Sequence, residues 1–275
     1  MPRFDVARDA FADCVRNGRL WLVQFLANPI LFGLFVAWLF IPPANNVYLV
    51  LNFIVGLALL AALLLLHAGT LNCFSDRQPG SPSPLWPPFR RALQHLLPVA
   101  ICVGVFWLLW LFVGYLESYQ SNFPAYLRST FPVFLRRHVT LSALANLFSA
   151  AMFFARWILA PGLVLPFLLQ AADSGFRGFG PRGLSAWRNT VFSLGYWLVL
   201  LLAALLGVLA TEKIMAATPN FKDSTIHAEA ISLIVRLAFS YLLGLFSWLL
   251  VCSTVGRYAA TARASAQDVS GNPAA

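Results

Sequence analysis

Arg156 stands inside FFARWILAPGLVLPFLLQ, residues 153–170, an apolar stretch interrupted by Pro161 and Pro166. A guanidinium carries five N–H donors and no acceptor. It recognises carboxylates, phosphates or free carbonyls, and its bonds strengthen where water is scarce. Each proline lacks an N–H and leaves a carbonyl one turn earlier without its helical donor, here near Trp157 and Gly162. Upstream, Ser142, Asn146 and Ser149 share a helical arc of roughly 80° with Arg156 at about 100° per residue. Such a set does recognition chemistry: it can capture an anionic group or donate to the freed carbonyls. Gln24 and Asn28, four residues apart, and Asn52 are polar residues of other apolar runs that can close the network. Arg156, Asn146, Ser149, Gln24, Asn28 and Asn52 are therefore the candidate ligand-binding set. The sequence places no acid beside Arg156, since Glu212 and Glu229 fall near the outer ends of their runs. Arg236 shares a helical face with Glu229 and is expected to snorkel outward.

Residues for bond-making chemistry are not arranged for it. His67, His95, His138 and His227 form no HxxxH or HExxH, and there is no Walker loop or GxSxG. Nearly all the carboxylates lie in loops or at helix ends, which suits neither a paired-carboxylate hydrolase nor a proton relay. GFRGFGPRG, residues 175–183, follows no strand, so it reads as a flexible turn and not as a phosphate cradle. The four cysteines, Cys14, Cys73, Cys102 and Cys252, make no CxxC pair, and the last two sit in apolar runs as small hydrophobes. The reading is non-enzymatic, with no catalytic residue, metal or cofactor.

The elements that must position Arg156 follow from composition. Of 275 residues, 60% are hydrophobic and 11% charged, and the mean hydropathy is +0.74. Soluble domains average nearer 45–50% apolar and about 25% charged. Several charge-free runs exceed the length a bilayer core demands. The fold class is thus all-α, a polytopic integral membrane protein. Six spans are predicted, at about 20–41, 47–66, 92–116, 141–169, 189–210 and 230–255, within one membrane domain over 1–262. The first run lacks a small-x-small cleavage site and reads as a span, not a signal peptide. By its distance from Leu141, Arg156 lies about 22 Å along its helix, near mid-bilayer. A charge there is costly and should face the bundle interior.

Only Pro42–Asn46 separate the first two spans, so these form a tight hairpin. RQPGSPSPLWPPF reads as an extended connector and 263–275 as a disordered tail. Short basic stretches precede the first, third and fifth spans: ARDAFADCVRNGRLWLV, PPFRRALQHLLPV and GPRGLSAWRNTVFSLGYWLV. In the first, Phe4, Ala7, Phe11, Cys14 and Val15 recur at helical spacing, with Arg8, Asp9, Asp13 and Arg16 between them. These stretches read as interfacial helices, giving three hairpins each introduced by a surface helix. Arg8, Arg16, Arg19, Arg90, Arg91, Arg182, Trp187 and Arg188 are the predicted inner-leaflet contacts.

Twelve arginines fall in the two termini and the second and fourth loops, against five basic residues in the other loops. That asymmetry places both termini in the cytoplasm. The net charge of +9 is explained by anionic headgroups and topology, and no motif points to nucleic acid. In the third loop, Phe123, Tyr126, Leu127, Phe131, Phe134 and Leu135 make a helical face accompanied by Arg128, Arg136 and Arg137, read as short helices in the outer interface.

RWILAPGLVLPFLLQAADSGFRGFGPRGLSAWRNTVFSLGYWLV holds an in-membrane arginine, a proline-bearing apolar stretch and a Ser–Trp–Arg segment that enters the next span. Over about 156–200 it resembles the membrane domain attached to some bacterial glycerophosphodiester phosphodiesterases, and their stand-alone YciC-like six-span relatives. Relatives often carry Glu where this chain has Gln170 or Asp173, and a Tyr–Asp–x–Arg-like motif where it reads GRYAATAR. The resemblance implies a lipid-associated accessory protein of the bacterial inner membrane, and the function expected is a non-enzymatic module that binds lipid or a protein partner. The competing expectation is a small secondary transporter, with Pro29 and Pro161 marking equivalent broken helices of an inverted repeat and a midplane site around Arg156.

Overall fold

A computed structural model describes residues 3–42, 45–76, 85–217 and 226–270, and every regular element among them is helical. Six helical stretches are long and apolar enough to cross a membrane: Gly18–Leu39, Asn46–Ser75, Leu96–Glu117, Leu141–Phe179, Leu194–Ala216 and His227–Ala262. The chain is a multi-pass membrane protein by this architecture, close to the predicted spans in number and place.

The first helix, α1 (Arg3–Arg16), precedes α2 (Gly18–Leu39) and α3 (Asn46–Ser75). Next come the short α4 (Trp86–Gln94), the third span α5 (Leu96–Glu117), and the small helices α6 (Asn122–Thr130) and α7 (Val133–His138). The fourth span joins α8 (Leu141–Phe154), a π-helical turn (Ala155–Leu159) and α9 (Ala160–Ser174). A 3-10 turn (Gly175–Phe179) and α10 (Pro181–Val191) lead to α11 (Leu194–Ala204), a second π-helical turn (Leu205–Ala210), α12 (Thr211–Ala216) and finally α13 (Ile226–Ser270). Asn45 caps α3 by accepting from the Tyr48 N–H at 3.0 Å, and Thr140 caps α8 by accepting from Ala143 at 3.1 Å. Short polar side chains at these positions satisfy donors that the first helical turn cannot.

Consecutive spans pack on one another: α2 on α3, α5 on α9, and α11 and α12 on α13. The core is concentrated at one end of the bundle, here the proximal end, where α1, α4 and α10 sit. It joins Leu71 and Phe74 of α3, Leu169 and Ala172 of α9, and Leu249, Cys252 and Val255 of α13, with Cys14 of α1 against them. Burial pushes the Cys14 thiol up to about 12, so it packs as an inert small group. Towards the distal end, where α6 and α7 lie, the outward faces of α2, α3 and α5 are exposed and almost wholly apolar. In a multi-pass protein such faces meet lipid.

Ion pairs tie the proximal end together. Arg257 of α13 pairs with Asp13 of α1, which places the later part of α13 beside the first helix. Arg91 of α4 pairs with Asp76 after α3 and with Asp173 of α9, the latter at 2.7 Å. Asn72 donates to the Ala172 carbonyl at 3.1 Å and to that of Pro88 at 3.3 Å, so a single amide bridges α3, α9 and α4.

Several expectations change. The second span runs on to Ser75, because residues from Thr70 onward are buried by α4, α9 and α13 instead of ending at a headgroup layer. Of the expected extended connector, residues 77–84 lie outside the described residues, and 86–94 are the helix α4. The helix α13 continues to Ser270, past the start of the expected tail, and 271–275 lie outside the described residues. The glycine-rich segment is a packed 3-10 turn. Gly175 has φ +64° against His95, and a side chain at Gly183 would collide with the Gly178 carbonyl.

Candidate functional site

Arg156 lies in the π-helical turn between α8 and α9, immediately before Pro161, where a widened turn accommodates the N–H that the proline lacks. Its Nη1 donates to Glu117 Oε2 at 2.8 Å, and its guanidinium lies 4.3 Å above the Trp110 ring. Trp157 meets Trp110 edge-on with centroids 4.6 Å apart. The arginine therefore has the acid that the sequence reading did not give it. Glu117 is the last residue of α5, so the pair lies at the distal end of a span and not at its middle. The midplane placement is overturned because the fourth helical stretch has 39 residues, almost double the ~20 that cross a bilayer, so counting from Leu141 began outside it. The side chains of Arg156 and Glu117 keep 28% and 43% of their exposure, which makes the pair half-open rather than buried.

The freed carbonyls find other donors. Pro166 removes the helical partner of Gly162, and the fully buried Tyr196 donates its hydroxyl to that carbonyl at 2.9 Å. Pro29 does the same to Phe25, and the Tyr241 hydroxyl of α13 donates to the Phe25 carbonyl at 3.0 Å. Trp187 turns inward, donates to the Leu163 carbonyl at 2.8 Å and stacks on Phe167. The expectation that Arg156 serves the Gly162 carbonyl fails because a tyrosine on the next span already does.

The six candidate residues fall into separate hydrogen-bonded groups. Gln24, fully buried, donates to Thr70 Oγ1 at 2.6 Å and accepts from Asn28 Nδ2 at 2.7 Å, fastening α2 to α3. Asn52 donates to the Ile41 carbonyl at 3.2 Å, while its own carbonyl accepts from Trp38 Nε1 at 2.9 Å, closing the α2–α3 turn. Ser149 accepts from Gln120 Nε2 at 2.5 Å, beside the Arg156 centre. Asn146 and Ser142 are exposed, so the predicted stripe does not face inward as a unit. Arg236 caps the end of α12, donating to the carbonyls of Met215 at 3.0 Å and Ala217 at 2.6 Å, instead of snorkelling away.

Of the predicted leaflet contacts, Arg8, Arg16, Arg19, Arg90, Arg182 and Arg188 are exposed at the proximal end. Arg91 and Trp187 are committed to the bundle as described. Among the described residues no three His, Cys, Asp or Glu side chains come together as a metal site.

A groove of about 610 Å³ lies between α2 and α3, open to the exterior. Asn28 lies at one end and Trp38 and Phe53 at the other, with Leu57 and Leu60 along the floor. Apart from Asn28 and the Trp38 indole, already bonded, the lining is hydrocarbon and aromatic. Sequence reasoning missed Glu117, Trp110, Thr70, Tyr196 and Tyr241. The proline rule names the carbonyls that need a donor, but only the packing of distant spans names the donor. No family model, curated protein or solved structure matches this chain.

Proposed function

We propose that the chain is a non-enzymatic membrane module that associates with lipid, the groove between α2 and α3 holding an acyl chain. The observation that carries this reading is the groove itself: about 610 Å³, apolar, and open on the face where the bundle core gives way to exposed hydrocarbon. The basic proximal end supports it. Arg16, Arg19, Arg90, Arg182 and Arg188 leave the bundle to meet anionic headgroups, each contributing on the order of 1 kcal/mol at the surface, while the exposed Arg8 is shared with Asp5 and Asp9 of its own helix. In this reading α1, α4 and α10 are surface helices introducing three hairpins. The proximal end faces the cytoplasm, and the membrane is the bacterial inner membrane, in keeping with the YciC-like resemblance.

The transport alternative has less support. Pro161 lines interior space that Pro29 does not, so the two proline-broken helices do not frame one cavity. Arg156 is paired with Glu117 at a span's end, away from any midplane site. Native mass spectrometry after release from detergent tests the proposal. The expected spectrum shows a retained phospholipid, and a lipid-free chain under conditions that preserve the fold would refute it.

A further inference from the structure

An open hollow of about 670 Å³ lies at the proximal end, where α4 gives way to α5 and α9 to the 3-10 turn. Gln94, His95, Asp173, Ser174 and Arg177 supply its polar lining, and Leu97 and Phe176 stand beside them. Its depth follows from α5. The 22 residues of that helix, at about 1.5 Å each, span about 33 Å, close to the ~30 Å of a hydrocarbon core. Leu96–Pro98 therefore stand where hydrocarbon meets headgroups.

Arg177 is exposed, and its side chain makes no hydrogen bond or ion pair among the described residues, nor do those of Gln94 and His95. The carboxylate on the same wall, Asp173, is engaged by Arg91 at 2.7 Å. A guanidinium offers five donors, an amide two, and an imidazole at least one whatever its charge. The hollow thus presents donors around a cation, the setting for an anionic oxygen. The turn that carries Arg177 is fixed by close packing. Gly175 has φ +64°, a Cβ on it would stand 2.7 Å from His95 Nδ1, and a Cβ on Gly178 would run into the Gln170 carbonyl. The glycine-rich segment, which by sequence alone reads as a flexible turn, therefore holds its arginine at one place beside His95. Leu97 and Phe176, 66% and 58% exposed, add hydrocarbon to the same hollow. A soluble anion leaves these side chains in water, whereas a phosphate joined to hydrocarbon covers them.

We propose that this hollow binds the phosphate diester of a phospholipid headgroup. Arg177 donates to the phosphate oxygens with Gln94 and His95 beside it, and Leu97 and Phe176 meet the first methylenes of the acyl chains. The inference rests on the lipid-module reading and gives it a headgroup site, apart from the acyl chain held between α2 and α3.

The test is photolabelling of the full chain in detergent micelles with two dioleoyl phospholipids, followed by peptide mapping. One carries a diazirine on the headgroup beyond its phosphate diester, the other at the end of an acyl chain. Saturable labelling by the headgroup probe within 94–98 or 173–177 is expected. Arg177→Gln should weaken it about fivefold to tenfold, the effect of one hydrogen bond at an open site. Arg177→Lys keeps the net charge but not the planar fork, and should restore only part of the loss. The Arg177 side chain bonds to nothing in the described fold, so both variants should keep the parent's melting temperature. Labelling of Arg177→Lys equal to that of the parent would reduce the site to dispersed surface charge and overturn the inference. Displacement of the headgroup probe by millimolar glycerol phosphate also overturns it, and names a soluble phosphate ester as the ligand. Headgroup labelling confined to other peptides, with the acyl probe in the α2–α3 groove, overturns it and leaves the lipid-module reading intact. Headgroup labelling of the hollow without acyl labelling of the groove upholds it and removes the acyl chain from that groove. Absence of saturable labelling by both probes overturns both.

Discussion

Arg156→Leu leaves the Glu117 carboxylate without its cation and the Trp110 ring without the guanidinium above it. Because the pair is half-open, the expected loss is about 1–2 kcal/mol, above the range of fully exposed pairs and below that of buried ones. Arg156→Lys should recover only part of it, since an ammonium cannot both fork onto the carboxylate and lie flat on the indole. Replacing both partners with Leu should be milder than Arg156→Leu alone, as no charge is then orphaned. Thermal unfolding in detergent checks all four proteins, and a double variant worse than the single would refute the pairing. The sequence made Arg156 conspicuous because a charge in an apolar run is costly wherever it lies. Its partner was illegible, because Glu117 stands 39 residues away at the end of another helix. The depth error had the same origin: a count along one helix carries no information about where neighbouring helices end.

Proline and tyrosine form a repeated device at the level of the helix. Each of Pro29 and Pro166 frees a carbonyl, and each carbonyl receives a tyrosine hydroxyl from a later span, Tyr241 and Tyr196 respectively. Tyr196→Phe should cost about 1–3 kcal/mol, because the Gly162 carbonyl is left buried and unpaired. Pro166→Ala restores an N–H to that carbonyl, so the double variant should be less destabilised by loss of the hydroxyl than the parent is. Additive losses in the melting temperatures would show that Tyr196 acts by packing alone. Spans were legible in the sequence because apolar runs of bilayer length have few alternative fates. The π-helical turns at 155–159 and 205–210 were not, since no local residue pattern separates a widened turn from an ordinary one. The buried continuation of α3 to Ser75 escaped for a related reason. Thr70, Asn72 and Ser75 lie past the predicted end of the second span at 66, and only the approach of α4, α9 and α13 makes them core.

For the whole molecule, the orientation follows from the distribution of basic residues. Reporter fusions at Asn45 and Phe123 should read as external and one at Gly180 as cytoplasmic, and an external reading at Gly180 would invert the proposed topology. The candidate site was legible only in fragments at this scale. Gln24 and Asn28 were rightly singled out as a pair, yet they fasten two spans to each other and leave a groove beside them that no motif announces. Grooves arise where neighbouring helices diverge, a property of the assembled bundle. Lipid occupancy of that groove is the central claim, and native mass spectrometry of the parent beside two tryptophan variants measures it most directly. Leu57→Trp fills the groove, whereas Leu108→Trp adds the same bulk to an exposed face of α5. The account predicts retained phospholipid in the parent and in Leu108→Trp, and its loss in Leu57→Trp with the melting temperature preserved. Equal phospholipid retention by all three proteins would contradict it.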